Sequence, residues 1–271
     1  MENKNIEYSQ LLASRKYDPG KTVPPEQVIF KIQDKAIGAI ESYCVISGNA
    51  KVGKSTFLTS LIASAFVPSF SDVFTMKLQP LPERPKVCFF DTESSTFDFY
   101  RVIDRIKKFS YRENIPENLD AYNTREDQPA AIRKMIISYL EANKDCSILI
   151  VDGFLDLCMN YNDEVETRLL TNWFKKITKQ YQILLIGVLH LSKGAGQTIG
   201  HLGSNTDRWA QSTLLVEKDE TTRQIVLKPK FLRSADHFDP IALQNINGNW
   251  QQVFYQHDAP APDMNKKKAP K

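Results

Sequence analysis

A run of nine residues near the start of the chain has residue types and a spacing that can bind phosphate. It matches the pattern G-x-x-x-x-G-K-[ST], with Gly48 and Gly53 at the glycine positions. Glycine lets the backbone turn tightly, so that successive N–H groups form an anion-binding nest. We expect Lys54 to reach the β- and γ-phosphates of a nucleoside triphosphate, and the Ser55 hydroxyl to ligate Mg²⁺. The predicted nucleotide-binding residues are Gly48, Asn49, Ala50, Lys51, Val52, Gly53, Lys54, Ser55 and Thr56.

Three polar side chains stand where apolar, strand-like segments end. Asp152 follows the most apolar segment and is predicted to hold the magnesium, although an aspartate there can also simply cap a loop. Glu93 follows the segment 86–90 and is either a general base for the attacking water or an acid in the first turn of a helix. His190 ends another buried segment. There it would either sense the presence of the γ-phosphate or only form a hydrogen bond within a loop.

Two further segments are candidates for partner contacts. Residues 193–204, beginning at Lys193, form a polar, glycine-rich stretch that is predicted to be a loop, either facing nucleic-acid phosphates or solvated. Lys228, Lys230 and Arg233 form a basic cluster. One of them would act as an arginine finger on a neighbouring subunit's γ-phosphate, or the cluster is a solvated strand end.

The elements that must position these residues alternate between strand and helix patterns. Strand-like segments lie at 43–46, 86–90, 118–122, 147–151 and 183–191, with amphipathic helical patterns between them. This alternation predicts an α/β fold with a mostly parallel sheet and helices on both faces. Short segments at 213–217, 223–227 and around Trp250 have no helices between them, which predicts antiparallel strands added at one edge.

Length and composition indicate one main domain with short appendages. The chain has 271 residues and 42% hydrophobic composition, enough for a sizeable core. We predict a polar segment over 1–28, a nucleotide-binding domain over 29–256, and a disordered Lys-, Pro- and Ala-rich tail over 257–271. Residues 28–30 are predicted to form an edge strand.

The net charge, the length of the apolar runs and the cysteines limit the classes of protein to which the chain can belong. A net charge of +3 permits a nucleic-acid partner without requiring one. No apolar run approaches the roughly 20 residues of a membrane span, and the first residues lack the order of a signal peptide. Four cysteines without metal spacing indicate buried, reduced thiols in a cytoplasmic protein.

With these residues in place, the chain resembles the RecA-like hexameric ATPases, and most of all the RepA-type replicative helicases of plasmids and mobile elements. DnaB-, RadA- and KaiC-type cores are more distant. The segments that carry the resemblance are 46–55, the glutamate segment 90–93, the magnesium strand 150–157, the sensor 190–193, the DNA-facing region 200–204 and the basic pair Lys230 and Arg233. The similarity spans about Ile29 to Val253. It implies a RecA-like P-loop core with ATP and Mg²⁺ as cofactors, Glu93 as the base, and a basic pair acting on the adjacent subunit of a hexameric ring.

Three functions remain open at this level. The leading hypothesis is a Mg²⁺-dependent ATPase that forms a ring or filament on single-stranded DNA of a mobile element. The second is a regulatory or assembly ATPase whose partner is a protein. The third is a small-molecule P-loop kinase. A water-activating Glu93 argues against it, because a kinase must exclude water rather than activate it. No additional loader- or primase-contacting domain is predicted, which leaves processive unwinding open. The prediction of ATP hydrolysis does not depend on such a domain.

Overall fold

The computed structural model describes residues 2–68, 71–191 and 199–255 of the chain. Its helices are α1 (Glu2–Arg15), α2 (Lys54–Ser64), α3 (Thr96–Phe109), α4 (Pro129–Ala142), α5 (Glu164–Tyr181) and α6 (Gly200–Trp209), with a 3-10 helix at Phe154–Leu157. Its strands are β1 (Val28–Ile32), β2 (Lys35–Ala39), β3 (Tyr43–Gly48), β4 (Met76–Leu78), β5 (Lys86–Asp91), β6 (Leu119–Asn123), β7 (Cys146–Asp152), β8 (Leu184–His190), β9 (Ser212–Lys218), β10 (Ile225–Leu232), β11 (Ile241–Ile246) and β12 (Asn249–Val253). The tail predicted at 257–271 lies outside the described residues.

Nine strands form the central sheet in the order β12-β11-β10-β9-β3-β8-β7-β5-β6. The six strands from β9 to β6 are parallel, and β10, β11 and β12 continue the sheet with antiparallel pairing. The predicted α/β architecture, with antiparallel strands at one edge, is confirmed. One detail of the prediction is wrong: the segment at 213–217 belongs to β9, which runs parallel to β3. Helix α6 lies between β8 and β9 and supplies the crossover that a parallel strand needs.

Helices cover both faces of the central sheet, as predicted, and each face has its own buried core. Helices α2 and α3 cover one face around Phe57 and Phe89. Helices α4, α5 and α6 cover the other around Phe154 and Phe174. Every residue of β7 is buried, which explains why its segment 148–151 is a continuous apolar run rather than an alternating pattern. All four cysteines are buried and free, in agreement with the prediction.

A second sheet of three antiparallel strands has the order β2-β1-β4. The edge strand predicted at 28–30 is therefore wrong in its position, because β1 is the central strand and pairs with both neighbours. The pairing with β4 could not be predicted from the sequence, since that strand has only three residues and follows α2. Helix α1 was also not predicted, and its side chains from Tyr8 to Arg15 are exposed. None of the described helices has the length and apolar character needed to span a membrane.

The strand order places a topological switch point at the carboxyl ends of β3 and β8. The helices that follow these two neighbouring strands pack on opposite faces, α2 in one core and α6 in the other. Ligands of open α/β sheets bind at such a switch point. The register places Gly48 opposite His190 and Asp91 opposite Asp152. The fold thus brings the predicted strand-end residues to one edge of the sheet.

Candidate functional site

Two glycines give the loop between β3 and α2 its shape. A Cβ on Gly48 would lie 2.5 Å from the carbonyl oxygen of Val216, because β9 runs alongside. Gly53 has a φ of 97°, and a Cβ there would lie 2.8 Å from the side chain of Ile225. Lys51 also has a positive φ, of 64°. A side chain at either glycine would therefore force the loop away from the β9–β10 hairpin or strain its backbone.

The backbone N–H groups of residues 49–53 have no hydrogen-bond acceptor among the described residues. Helix α2 begins directly after them at Lys54, and the first N–H groups of a helix also lack an intrahelical acceptor and carry partial positive charge. Unpaired N–H groups that adjoin a helix N-terminus suit an anion. The loop geometry fits a phosphate chain, and phosphate binding itself stays a prediction.

The Lys54 side chain folds back over this loop. Its Nζ donates to the carbonyl oxygens of Gly48 at 3.0 Å and Asn49 at 2.7 Å, and lies 3.1 Å from Nδ1 of His190. These contacts use all three donors of the ammonium group. Burial lowers the pKa of Lys54, while the charges of Glu93 and Asp152 raise it. An incoming phosphate would have to replace at least one of the three contacts.

His190 links Lys54 to Glu93 through its two ring nitrogens. Its Nε2 lies 3.0 Å from Oε1 of Glu93. Because an ammonium group only donates, Nδ1 must accept from Lys54, and Nε2 must carry the proton that it shares with Glu93. This hydrogen bond is the main cause that lowers the pKa of Glu93. The carboxylate is thereby held in the charged form that a general base needs.

The alternative reading of Glu93 as a first-turn helix acid is wrong. Helix α3 begins at Thr96, its N-cap is Ser95, and its first-turn acid is Asp98. Glu93 lies before the helix, and its side chain is 41% exposed. It therefore has no capping role in α3 and is accessible to water.

Asp152 ends β7 as a buried carboxylate. Burial, together with the negative charges of Glu93 and Asp91, raises its pKa to about 8. Within the described part of the chain, no hydrogen bond reaches its carboxylate. A buried acid without donors is costly in its charged form and would be stabilised by a cation.

Asp91 is a site residue to which the sequence analysis assigned no role. It is fully buried, and its Oδ1 accepts from the backbone N–H groups of Glu93 at 3.1 Å and Ser94 at 2.8 Å. Its Oδ2 has no partner among the described residues. Asp91 thus fixes the backbone that carries Glu93. The available signal was an aspartate two residues before a predicted base, a common way to form a local turn.

Thr92 joins the ends of β5 and β7. Its Oγ1 donates to Oδ2 of Asp156 and lies 2.6 Å from it, and it also lies 2.8 Å from the backbone oxygen of Asp152. A Cβ at Gly153, whose φ is 121°, would lie 2.2 Å from the same hydroxyl. This packing sets the distance between the end of β5, which leads to Glu93, and the end of β7, which carries Asp152.

The residues at this edge fit Mg²⁺ bound together with a nucleotide. The described residues include no group of three or more His, Cys, Asp or Glu side chains placed to hold a metal ion. Mg²⁺, however, is usually held by one or two carboxylates together with substrate phosphates and water. Asp152 and the exposed Ser55, in the first turn of α2, supply oxygen ligands of this kind.

Lys230 and Arg233 lie at the opposite end of the strands from this cluster. Leu232 pairs with Ser212, which pairs with Cys44 near the start of β3, roughly 13 Å along the strand from Gly48 at about 3.3 Å per residue. The Arg233 guanidinium is exposed and donates to the backbone oxygen of Arg208. The structure therefore does not bring the basic pair to the site of its own chain.

The Nζ of Lys230 lies 2.8 Å from Oδ2 of Asp207, and both side chains are only 16% exposed. Such a pair anchors β10 to α6 within one chain, which distinguishes Lys230 from the exposed Arg233.

The loop predicted over 193–204 is wrong in its second half. Residues 200–204 form the first turn of α6, where Leu202 and Gly203 are buried. The prediction missed this helix because three small or glycine residues lower the helix propensity of the segment, whereas packing of Leu202 against α5 and its neighbours stabilises it. Lys193 and the rest of the segment 192–198 lie outside the described residues.

Comparison with protein-family models finds no family that matches this chain, and comparison with curated proteins finds no match. The functional assignment therefore depends on the geometry described above.

Proposed function

We propose that this protein is a Mg²⁺-dependent ATPase acting on single-stranded DNA, with a RecA-like P-loop core of the RepA-type helicase kind. The observation that carries the proposal is the chain of contacts Lys54–His190–Glu93, which starts at the candidate phosphate loop and ends at an ionised carboxylate. A phosphate-binding cation and a water-activating base are the two parts that ATP hydrolysis needs from a single chain. In this proposal the protein acts in the cytoplasm.

The contacts suggest how nucleotide binding prepares the base. Lys54 exchanges its bonds to the loop carbonyls and to His190 for phosphate oxygens. Nδ1 of His190 is then released from the ammonium group, and the ring can shift while Nε2 still holds Glu93. Glu93 accepts a proton from the attacking water. Mg²⁺, held by Ser55 and Asp152 together with the phosphates, would neutralise the charge that develops on them.

The position of Arg233 supports hydrolysis between subunits. Because Arg233 is exposed and far from the loop of its own chain, it can approach a γ-phosphate only in a neighbouring subunit. In the proposed ring or filament, one subunit supplies the loop and Glu93, and the next supplies Arg233. An arginine placed in this way stabilises the charge of the transferred phosphoryl group.

The two alternatives make different demands on the site. A small-molecule kinase keeps water away from the γ-phosphate, which conflicts with a charged, 41% exposed Glu93. A regulatory ATPase with a protein partner would use the same hydrolytic residues, so only the effect of DNA separates it from the leading proposal.

The test is to measure ATP affinity and phosphate release with and without oligo(dT). Lys54→Ala should lose ATP binding. Glu93→Gln keeps the side-chain shape and should bind ATP while hydrolysing it at least about 100-fold more slowly. The matched controls are Lys134→Ala and Glu117→Gln, whose side chains are exposed on other parts of the surface.

Normal turnover by Glu93→Gln would contradict the assignment of the base. A wild-type rate of ATP hydrolysis that does not change when DNA is added would favour the protein-partner alternative. Transfer of phosphate to a small molecule in place of release to water would favour the kinase.

A further inference from the structure

A groove of about 800 Å³ lies on the α3 side of the molecule. Its walls are the second half of α3, the turn before β4 and the turn between β11 and β12. Phe74 and Phe109 join two of these walls, with ring centroids 5.4 Å apart and nearly perpendicular planes. At about 1.5 Å per residue, Arg105 lies on the order of 15 Å along α3 from the Glu93 end. The groove is thus separate from the candidate nucleotide site.

Three cations of α3 line the groove. Arg101, Arg105 and Lys108 have the i, i+4, i+7 spacing that places side chains on one helix face. Arg105 has neither a hydrogen bond nor an ion pair with a described residue. Burial and the like charge of Arg101 lower its pKa. A half-buried guanidinium beside another cation is unfavourable in the free protein, and a bound anion would relieve it.

The acidic residues of the groove already have partners. Asp104 lies 2.6 Å from the Nζ of Lys107, which does not line the groove. Oδ1 of Asp72 accepts from the backbone N–H of Thr75 at 2.9 Å. Asp98, which is outside the groove lining, lies 3.6 Å from Arg101 in a pair whose side chains are both more than half exposed, and such a pair is worth little in water. None of these acids forms an ion pair with Arg105 or Lys108 among the described residues.

Two aromatic side chains flank the cations. Tyr111 is 92% exposed and has a φ of 56°, an unusual conformation for a bulky residue, which costs on the order of 1 kcal/mol or more. Trp250 lies on the facing wall and is only partly buried. An exposed ring held by a strained backbone beside cations is a surface on which a base can stack.

We infer that this groove binds single-stranded nucleic acid, with Arg105 and Lys108 on its phosphates and Tyr111 and Trp250 stacked on its bases. Charge alone would also suit an acidic peptide, but the two accessible rings beside the cations favour a ligand with flat, aromatic bases. The inference rests on the proposed function only in taking DNA as the partner. It assigns that contact to α3 and to the turn between β11 and β12, rather than to the segment 193–204.

The experiment measures binding of the full chain to fluorescently labelled oligo(dT) by anisotropy, over a series of salt concentrations. Tyr111→Ala should weaken binding at least about fivefold, since stacking is worth about 1–3 kcal/mol per base. Lys108→Ala should reduce the log–log salt slope by about 0.7, the value for one phosphate contact on a single strand. Both side chains are exposed, so the fold should tolerate both changes. The controls are Lys134→Ala on α4 and Tyr17→Ala, both exposed and outside the groove.

Wild-type DNA binding with unchanged affinity and salt slope in both groove variants would overturn the groove assignment and leave the proposed function intact. An absence of DNA binding by the wild type, with or without ATP, would overturn both the groove assignment and the DNA part of the proposed function, but not ATP hydrolysis. Equal competition by polyglutamate and oligo(dT) for the groove, at equal charge, would indicate an acidic protein ligand and also overturn the inference.

Discussion

Replacing Asp152 with asparagine should change how the stability of the protein depends on pH. The native carboxyl has a pKa of about 8, against about 3.9 in an unfolded chain. Between these pH values the native state keeps a proton that the unfolded state has lost. The free energy of unfolding of the wild type therefore falls as pH rises through this window, by at most about 1.4 kcal/mol per pH unit from this one group.

Over the whole window the contribution of Asp152 has an upper limit on the order of 5 kcal/mol. Asp152→Asn keeps the shape of the side chain and cannot ionise, so it loses this dependence. The variant should match the wild type only at or below about pH 4, and its advantage should grow to several kcal/mol near pH 8, in EDTA and without nucleotide. Its affinity for Mg²⁺ with ATP should fall at the same time, because Mg²⁺ binding requires a carboxylate.

The assay is urea unfolding at a series of pH values from about 5 to 8, with and without MgATP. The exposed carboxylate of Asp127 provides the control, since Asp127→Asn should follow the wild-type profile. MgATP should raise wild-type stability most at high pH and should have a much smaller effect on Asp152→Asn. A stability difference between wild type and Asp152→Asn that stays constant from pH 5 to pH 8 would refute the reasoning, because it would mean that burial does not hold a proton on this carboxyl.

Three further changes test other parts of the molecule. Arg233→Ala should lower the ATPase rate roughly 10³-fold or more, and mixing this variant with Lys54→Ala should restore activity. A fully active Arg233→Ala protein would exclude Arg233 as an arginine finger. Lys230→Ala should lower the free energy of unfolding by on the order of 3 kcal/mol, because it removes the ion-pair partner of the mostly buried Asp207 carboxylate. Unchanged thermal unfolding would contradict a structural role. Gly53→Ala should lose ATP binding, whereas Gly248→Ala, at a φ of 82° with open space around the Cβ position, should retain it.

The local elements of this fold could be predicted because their signals are local. The apolar runs of β7 and β8 and the amphipathic patterns of α3 and α5 repeat with the periods of strand and helix, and the structure confirms them. The candidate phosphate-binding residues over 48–56 could be proposed because the fixed positions of their pattern are close in sequence. Helix α6 was missed because its small and glycine residues give weak local signals, and its stability comes from packing against α5.

The arrangement of the site depended on tertiary structure. The sequence alone nominated Lys54, Glu93 and His190 as separate candidates, and only the strand order, with β3 beside β8, places His190 between the other two. The pKa of Asp152 likewise depends on burial and on acids that are distant in sequence. The same sheet carries Arg233 to the far end of its strands. Residue types and periodicity thus determined which groups are present, whereas distance and burial, which set their charges and contacts, arise only when segments far apart in the chain pack together.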